Sequence, residues 1–174
     1  MQPSITHKPA QVSLKPSQLY LLTFLRVLIG WHFLYEGLAK LFNPYWSSAD
    51  YLMQSKWIFS GLFKALMASP TLLKIVDWLN IWGLMLIGLA LMLGLGERVA
   101  CWAGAVLLLL YYLAAPPFVG YNYSLPQEGS YVIVNKNLIE LAALLVLSVF
   151  RTSRHLGLEY FLNRKKVSSA IQAN

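Results

Sequence analysis

Four long apolar runs, separated by short polar stretches, organise the chain. A helix needs about 20 mostly apolar residues to cross a bilayer. Runs of that order extend from Leu19 to Leu41, Leu72 to Leu95, Val99 to Ala115 and Tyr131 to Phe150. Asn43-Pro44 stops the first, and Ser69-Pro70 precedes the second, where proline suits a helix start. Gly94 and Gly96 end the second, and Pro116-Pro117 ends the third. The pattern predicts an all-α fold, a four-helix transmembrane bundle.

The connections are unequal. Only the few residues around Glu97 and Arg98 join the second and third helices, which predicts a tight antiparallel hairpin. The other two connections are long and fall on one side, so the chain reads as two helix pairs. Within the first long loop, Lys56, Ser60 and Lys64 recur every four residues among Trp57, Ile58, Phe59, Leu62, Phe63 and Leu66. Residues Lys56 to Ser69 are therefore expected to form an extra interfacial helix that lies at the membrane surface or caps the bundle. The division is an N-terminal tail over 1–18, a membrane domain over 19–150 and a basic C-terminal tail over 151–174.

Composition strengthens the membrane reading. Hydrophobic residues are 57% of the 174 and charged residues 12%, against roughly 45–50% and about 25% in soluble domains. A soluble enzyme, a disordered chain and a disulfide scaffold are all excluded. The formal net charge is +7, with its cations in tails and loops beside apolar runs. That placement suits orientation in a bilayer and anionic lipid rather than nucleic acid. Lys8 and Lys15, Arg98, and Arg151, Arg154, Arg164, Lys165 and Lys166 all fall on one side. Both termini are accordingly expected in the cytoplasm, with the chain in a bacterial inner membrane. Ionisable residues in the first run, and no small-residue cleavage site after it, argue against a cleaved signal peptide. Cys101, the single cysteine, opens an apolar run and reads as a small buried hydrophobe.

Polar residues inside the apolar helices carry the candidate chemistry. An ionisable side chain at the bilayer centre costs about 2.5–3.5 kcal/mol on insertion scales, so it persists where it faces the bundle and has a partner. Arg26, His32, Glu36 and Lys40 share an arc of about 120° on the first helix. Gly30 and Gly37 flank that arc and would admit a close neighbour. Glu36 precedes Lys40 by one turn, the favourable order for an ion pair. The fourth helix carries Asn135, Lys136, Asn137 and Glu140. Antiparallel stacking brings these, with Asp77 and Tyr112, to one end of the bundle. The group is expected to pair Glu36 or Lys40 with Lys136 or Glu140. It could form a structural network, or line a pocket that holds a polar headgroup and relays protons. No His/Cys cluster has metal-ligand spacing, and no phosphate loop is present, so no metal or covalent cofactor is expected.

The strings RVLIGWHFLYEGLAKLFNP, LIGLALMLGLGERVACWAG, LLLLYYLAAPPF and NKNLIELAALL, in that order between Leu25 and Phe150, resemble the DoxX/DoxD family of small four-helix membrane proteins. The likeness extends to the DoxD-like large subunit of thiosulfate:quinone oxidoreductase. Arg26, Gly30, Glu36, Gly37 and Lys40 fall on the first-helix motif, and Asn135, Lys136, Asn137 and Glu140 on the fourth. The resemblance implies a quinone-interacting or accessory subunit of a membrane oxidoreductase, with a bound quinone and a partner subunit that supplies the redox chemistry. Two rivals stand beside it: a non-enzymatic membrane chaperone or assembly factor, and a small-solute transporter. A lined cavity around the charged cluster would favour a ligand; closed ion pairs with no void would favour a structural role.

Overall fold

A computed structural model describes residues 14–121, 123, 132–162 and 164. The helices include α1 Pro16–Phe42, α2 Ala49–Met53, α3 Ser60–Met67, α4 Pro70–Leu93, α5 Glu97–Ala114 and α6 Lys136–Phe150. A short 3-10 turn, Thr152–Arg154, follows α6. Four segments are long and apolar enough to span a membrane: Pro16–Phe42, Pro70–Leu93, Glu97–Ala114 and Lys136–Leu162. Their outward faces carry bare apolar side chains such as Leu21, Phe24, Trp31, Leu86 and Val106, which lipid covers at no cost. The chain is an all-α, multi-pass membrane protein.

Helix ends differ from expectation by small amounts with local causes. α1 starts at Pro16, whose fixed φ suits a first helical turn. α5 starts at Glu97 rather than Val99, so Glu97 joins the helix instead of the loop. α6 starts at Lys136, because the Asn135 side chain accepts from the Leu138 amide at 3.0 Å and caps it. Tyr131, the expected start, lies outside the described residues, as do Lys8, Lys165 and Lys166 in the tails.

α1 packs chiefly on α4, and α5 on α6, which reproduces the two expected pairs. Small residues set the first contact. A Cβ on Gly88 would meet the Leu34 backbone nitrogen at 2.5 Å and the Gly30 carbonyl oxygen at 2.7 Å. One on Gly37 would meet Met85 Cγ at 2.6 Å. The backbones therefore approach as glycine-lined membrane helices do. Phe33, Leu91, Cys101, Leu144 and Leu147 form the centre of the core and are nearly or wholly inaccessible.

The α4–α5 hairpin turns on Gly94 and Gly96, at φ 66° and 57°, a left-handed conformation that suits glycine. Residues 151–162, the first part of the basic tail, fold onto this hairpin. The Glu159 amide donates to the Gly94 carbonyl at 3.1 Å, and Thr152 and Ser153 are fully buried. At the opposite end α2 and α3 occupy the first long loop, where the amphipathic pattern placed a helix. Phe63 of α3 and Leu52 of α2 bury themselves against Ala114, with Leu66 and Val76 beside them. These short helices thus roof the bundle.

Candidate functional site

Under that roof lies a cavity of about 950 Å³, walled by all four spanning segments and by α2 and α3. Its wall is largely apolar: Phe33, Leu62, Phe63, Leu84, Leu108 and Ala114 contribute. Two polar clusters interrupt it, one deep and one near the roof.

The deep cluster is a row of three. His32 Nδ1 lies 2.8 Å from Glu140 Oε1, which joins α1 to α6. His32 Nε2 lies 3.9 Å from Glu36 Oε1, one turn further along α1. An imidazole between two carboxylates can take a proton on one nitrogen and release it from the other. The Glu140 side chain is 12% exposed and that of Glu36 43%, so the row runs from a largely buried acid to an accessible one.

The second cluster surrounds an ammonium group. Lys40 Nζ donates to Asn80 Oδ1 at 3.0 Å and to the Tyr111 hydroxyl oxygen at 3.2 Å. Asn80 Nδ2 donates to the same hydroxyl oxygen at 2.7 Å. Nζ also stands 5.2 Å from the centres of the Trp46 and Tyr111 rings, within cation–π range. Tyr51 of α2 steadies the arrangement: its hydroxyl donates to the Tyr111 carbonyl at 2.8 Å. Burial raises the Tyr51 phenol above its ordinary pKa, which keeps it a donor.

Seven of the ten residues expected at the site line this cavity: His32, Glu36, Lys40, Asn135, Lys136, Asn137 and Glu140. Three do not. Arg26 shares the helical arc but sits nearly four turns from Lys40, about 20 Å along the axis. Its guanidinium reaches the other end of the bundle, where Nη1 donates to Thr152 Oγ1 at 2.9 Å and Nη2 to the Leu156 carbonyl at 2.8 Å. Asp77 does not line the cavity; it accepts from Ser47 Oγ at 2.9 Å and from the Ser48 amide at 2.8 Å. It anchors the α1–α2 connection whose Ser47 and Ser48 form part of the wall. Tyr112 turns its hydroxyl to the Ile133 carbonyl at 2.9 Å; its neighbour Tyr111 takes the cavity position. One polar contact between α1 and α6 is His32 to Glu140, so Glu140 meets the first helix through the imidazole. Lys40 turns toward α4 and α5, where Asn80 and Tyr111 offer it oxygen and π density.

Sequence reasoning missed Asn80, Tyr111 and Trp46 as site residues, and it placed Glu97 in a loop with no buried partner. Glu97 is fully buried. Its carboxylate accepts from Thr152 Oγ1 at 3.1 Å and from the Ser153 amide, and lies 3.7 Å from Arg26 Nη1. This second charged group is closed: the Arg26 and Glu97 side chains are 3% and 0% exposed. It ties α1, the hairpin and the C-terminal segment together.

A family model, DoxX, matches residues 21–117, more than half of the chain, and the protein belongs to that family of membrane proteins. The match takes in α1 from Leu21 through α5 to Pro117, hence His32, Glu36, Lys40, Asn80 and Tyr111, and stops before α6 and Glu140. No curated protein and no solved structure matches the chain.

Proposed function

We propose that the roofed cavity binds the headgroup of a membrane quinone and that the protein serves as the quinone-interacting subunit of a membrane oxidoreductase. The observation that carries this reading is the lined void itself. Charged residues that only braced the bundle would close on one another, as Arg26 and Glu97 do. The cavity group instead surrounds about 950 Å³ with a mostly apolar wall and a few convergent polar groups, the usual make-up of a small-molecule site. Quinone reduction takes up two electrons and two protons and gives the quinol. The cavity's side chains supply protons, through Glu140, His32 and Glu36; a partner subunit delivers the electrons. The likeness to the DoxD-like subunit of thiosulfate:quinone oxidoreductase points to a sulfur-compound dehydrogenase as that partner.

A route for the tail supports the same reading. An apolar groove of about 660 Å³ runs along the lipid-facing side of α4 and α5, past Gly83, Val99 and Trp102. Leu79, Leu107 and Leu110 belong both to it and to the cavity. A headgroup in the cavity could therefore lead its isoprenoid tail past these leucines into the bilayer.

Native mass spectrometry with lipid extraction tests the proposal on gently purified protein. Quinone should accompany the wild type and be depleted in folded Glu36→Gln and Glu140→Gln. Absence of quinone from the wild type, with a bound protein client in its place, would contradict it and favour the assembly-factor reading.

A further inference from the structure

We propose that Lys40, Asn80 and Tyr111 form a subsite for an anionic ring oxygen, so that the cavity favours the ionised form of its ligand over the neutral form. The inference rests on the quinone reading and specifies the charge state that the site selects.

The Lys40 ammonium group carries three hydrogens. One is directed to Asn80 Oδ1 and one to the Tyr111 oxygen. Both acceptors are neutral, and no carboxylate among the described residues is within ion-pairing distance of Nζ. Glu36, one turn back on α1, attracts it only through space, and Lys136 repels it. A positive charge in a largely apolar cavity is thus solvated by dipoles and ring faces, with its third hydrogen left for an occupant. Tyr111 reinforces it. Its oxygen already accepts from Lys40 and from Asn80 Nδ2, which leaves its own hydrogen to donate. Two donors, one charged and one polarised by that charge, line the same wall. Hydrogen bonds to an ionised acceptor are roughly twice as strong as neutral ones, and in a cavity screened from water a fixed cation strengthens that preference. Glu140 and Glu36 would oppose a negative oxygen placed beside them, so the anionic edge of the ring faces Lys40 and the opposite edge faces His32. The site is polar in one direction: it holds an oxyanion at the roof and exchanges protons below.

Isothermal titration of the full chain in detergent tests this with two probes of one shape. One is a hydroxynaphthoquinone, ionised at neutral pH; the other is its neutral methyl ether. The wild type should bind the ionised probe about tenfold more tightly. The ratio should persist in high salt, which screens the chain's surface cations but not a cavity contact. Lys40→Met should bring the ratio near one, and Lys40→Arg should retain it. Tyr111→Phe, which keeps the ring, should reduce it in part and serves as the second test if Lys40→Met does not fold. Equal binding of the two probes to the wild type would overturn the inference while leaving the quinone reading intact, as would a preference that survives Lys40→Met. Failure of both probes to bind would overturn both.

Discussion

His32 and Glu140 meet at 2.8 Å across a gap of more than a hundred residues in the chain, and this contact fixes α1 to α6 beside the cavity. Few other contacts join these two helices. Replacing His32 with Ala removes the partner of a largely buried carboxylate. The variant should melt at a lower temperature in detergent, and His32→Gln, which restores a donor, should recover part of the loss. Equal melting of wild type and His32→Ala would show that the contact does not hold the helices.

Glu97 and Arg26 should be the costliest pair to break. Glu97 is fully buried, and loss of one partner in such a pair typically costs about 3–5 kcal/mol, because the other charge is left stranded. Glu97→Ala should sharply reduce the folded yield and release residues 151–162 to protease. The double variant Glu97→Leu with Arg26→Met should be more stable than either single one, as apolar replacement of a buried pair often is. Differential scanning fluorimetry of the wild type and the variants, with limited proteolysis of Glu97→Ala, reads both statements.

The glycines of α1 and α4 divide sharply. A methyl group on Gly88 collides with backbone, which cannot move aside, whereas one on Gly83 meets nothing within 4 Å. Gly88→Ala should destabilise by about 1–3 kcal/mol, the range for overpacking. Gly83→Ala should be nearly neutral in the same melting assay.

Gly83 also tests the tail route. Gly83→Phe places a ring in the α4–α5 groove, away from the headgroup cavity. Affinity for a long-tailed quinone should fall, and affinity for a short-tailed one should hold. Equal loss for both would contradict the route past Leu79, Leu107 and Leu110.

Tyr51 gives a pH dependence. Its phenol is raised above the ordinary value of 10.0 by burial, so the folded chain retains a proton that the unfolded chain loses. The unfolded state then binds fewer protons, and stability falls as pH rises through and above about 10. Tyr51→Phe should flatten that decline. An unchanged slope between neutral and alkaline melting curves would show that Tyr51 is accessible.

Much of this was legible in the sequence, for physical reasons. Bilayer thickness imposes a minimum length on apolar runs, so the four spans could be read directly. The fixed periodicity of a helix likewise put His32, Glu36 and Lys40 on one face, and all three line the cavity. What periodicity lacks is depth and rotation relative to neighbours. Arg26 shares the arc but belongs to another layer. Tyr111 and Tyr112 are adjacent and equally aromatic; only the packing of α5 against α6 decides that Tyr111 faces the cavity. Glu97 looks like a polar loop residue, because the Thr152 and Ser153 that bury it lie more than fifty positions away.

Photolabelling tests the central claim most directly. A photoreactive short-tailed quinone would be crosslinked to the full chain in lipid vesicles and the labelled peptides mapped by mass spectrometry. Labels should concentrate on cavity segments of α1 and α5, around Lys40 and Tyr111, and disappear when excess unlabelled quinone competes. Labels spread evenly over the lipid-facing surface and insensitive to competition would contradict a headgroup site in this cavity.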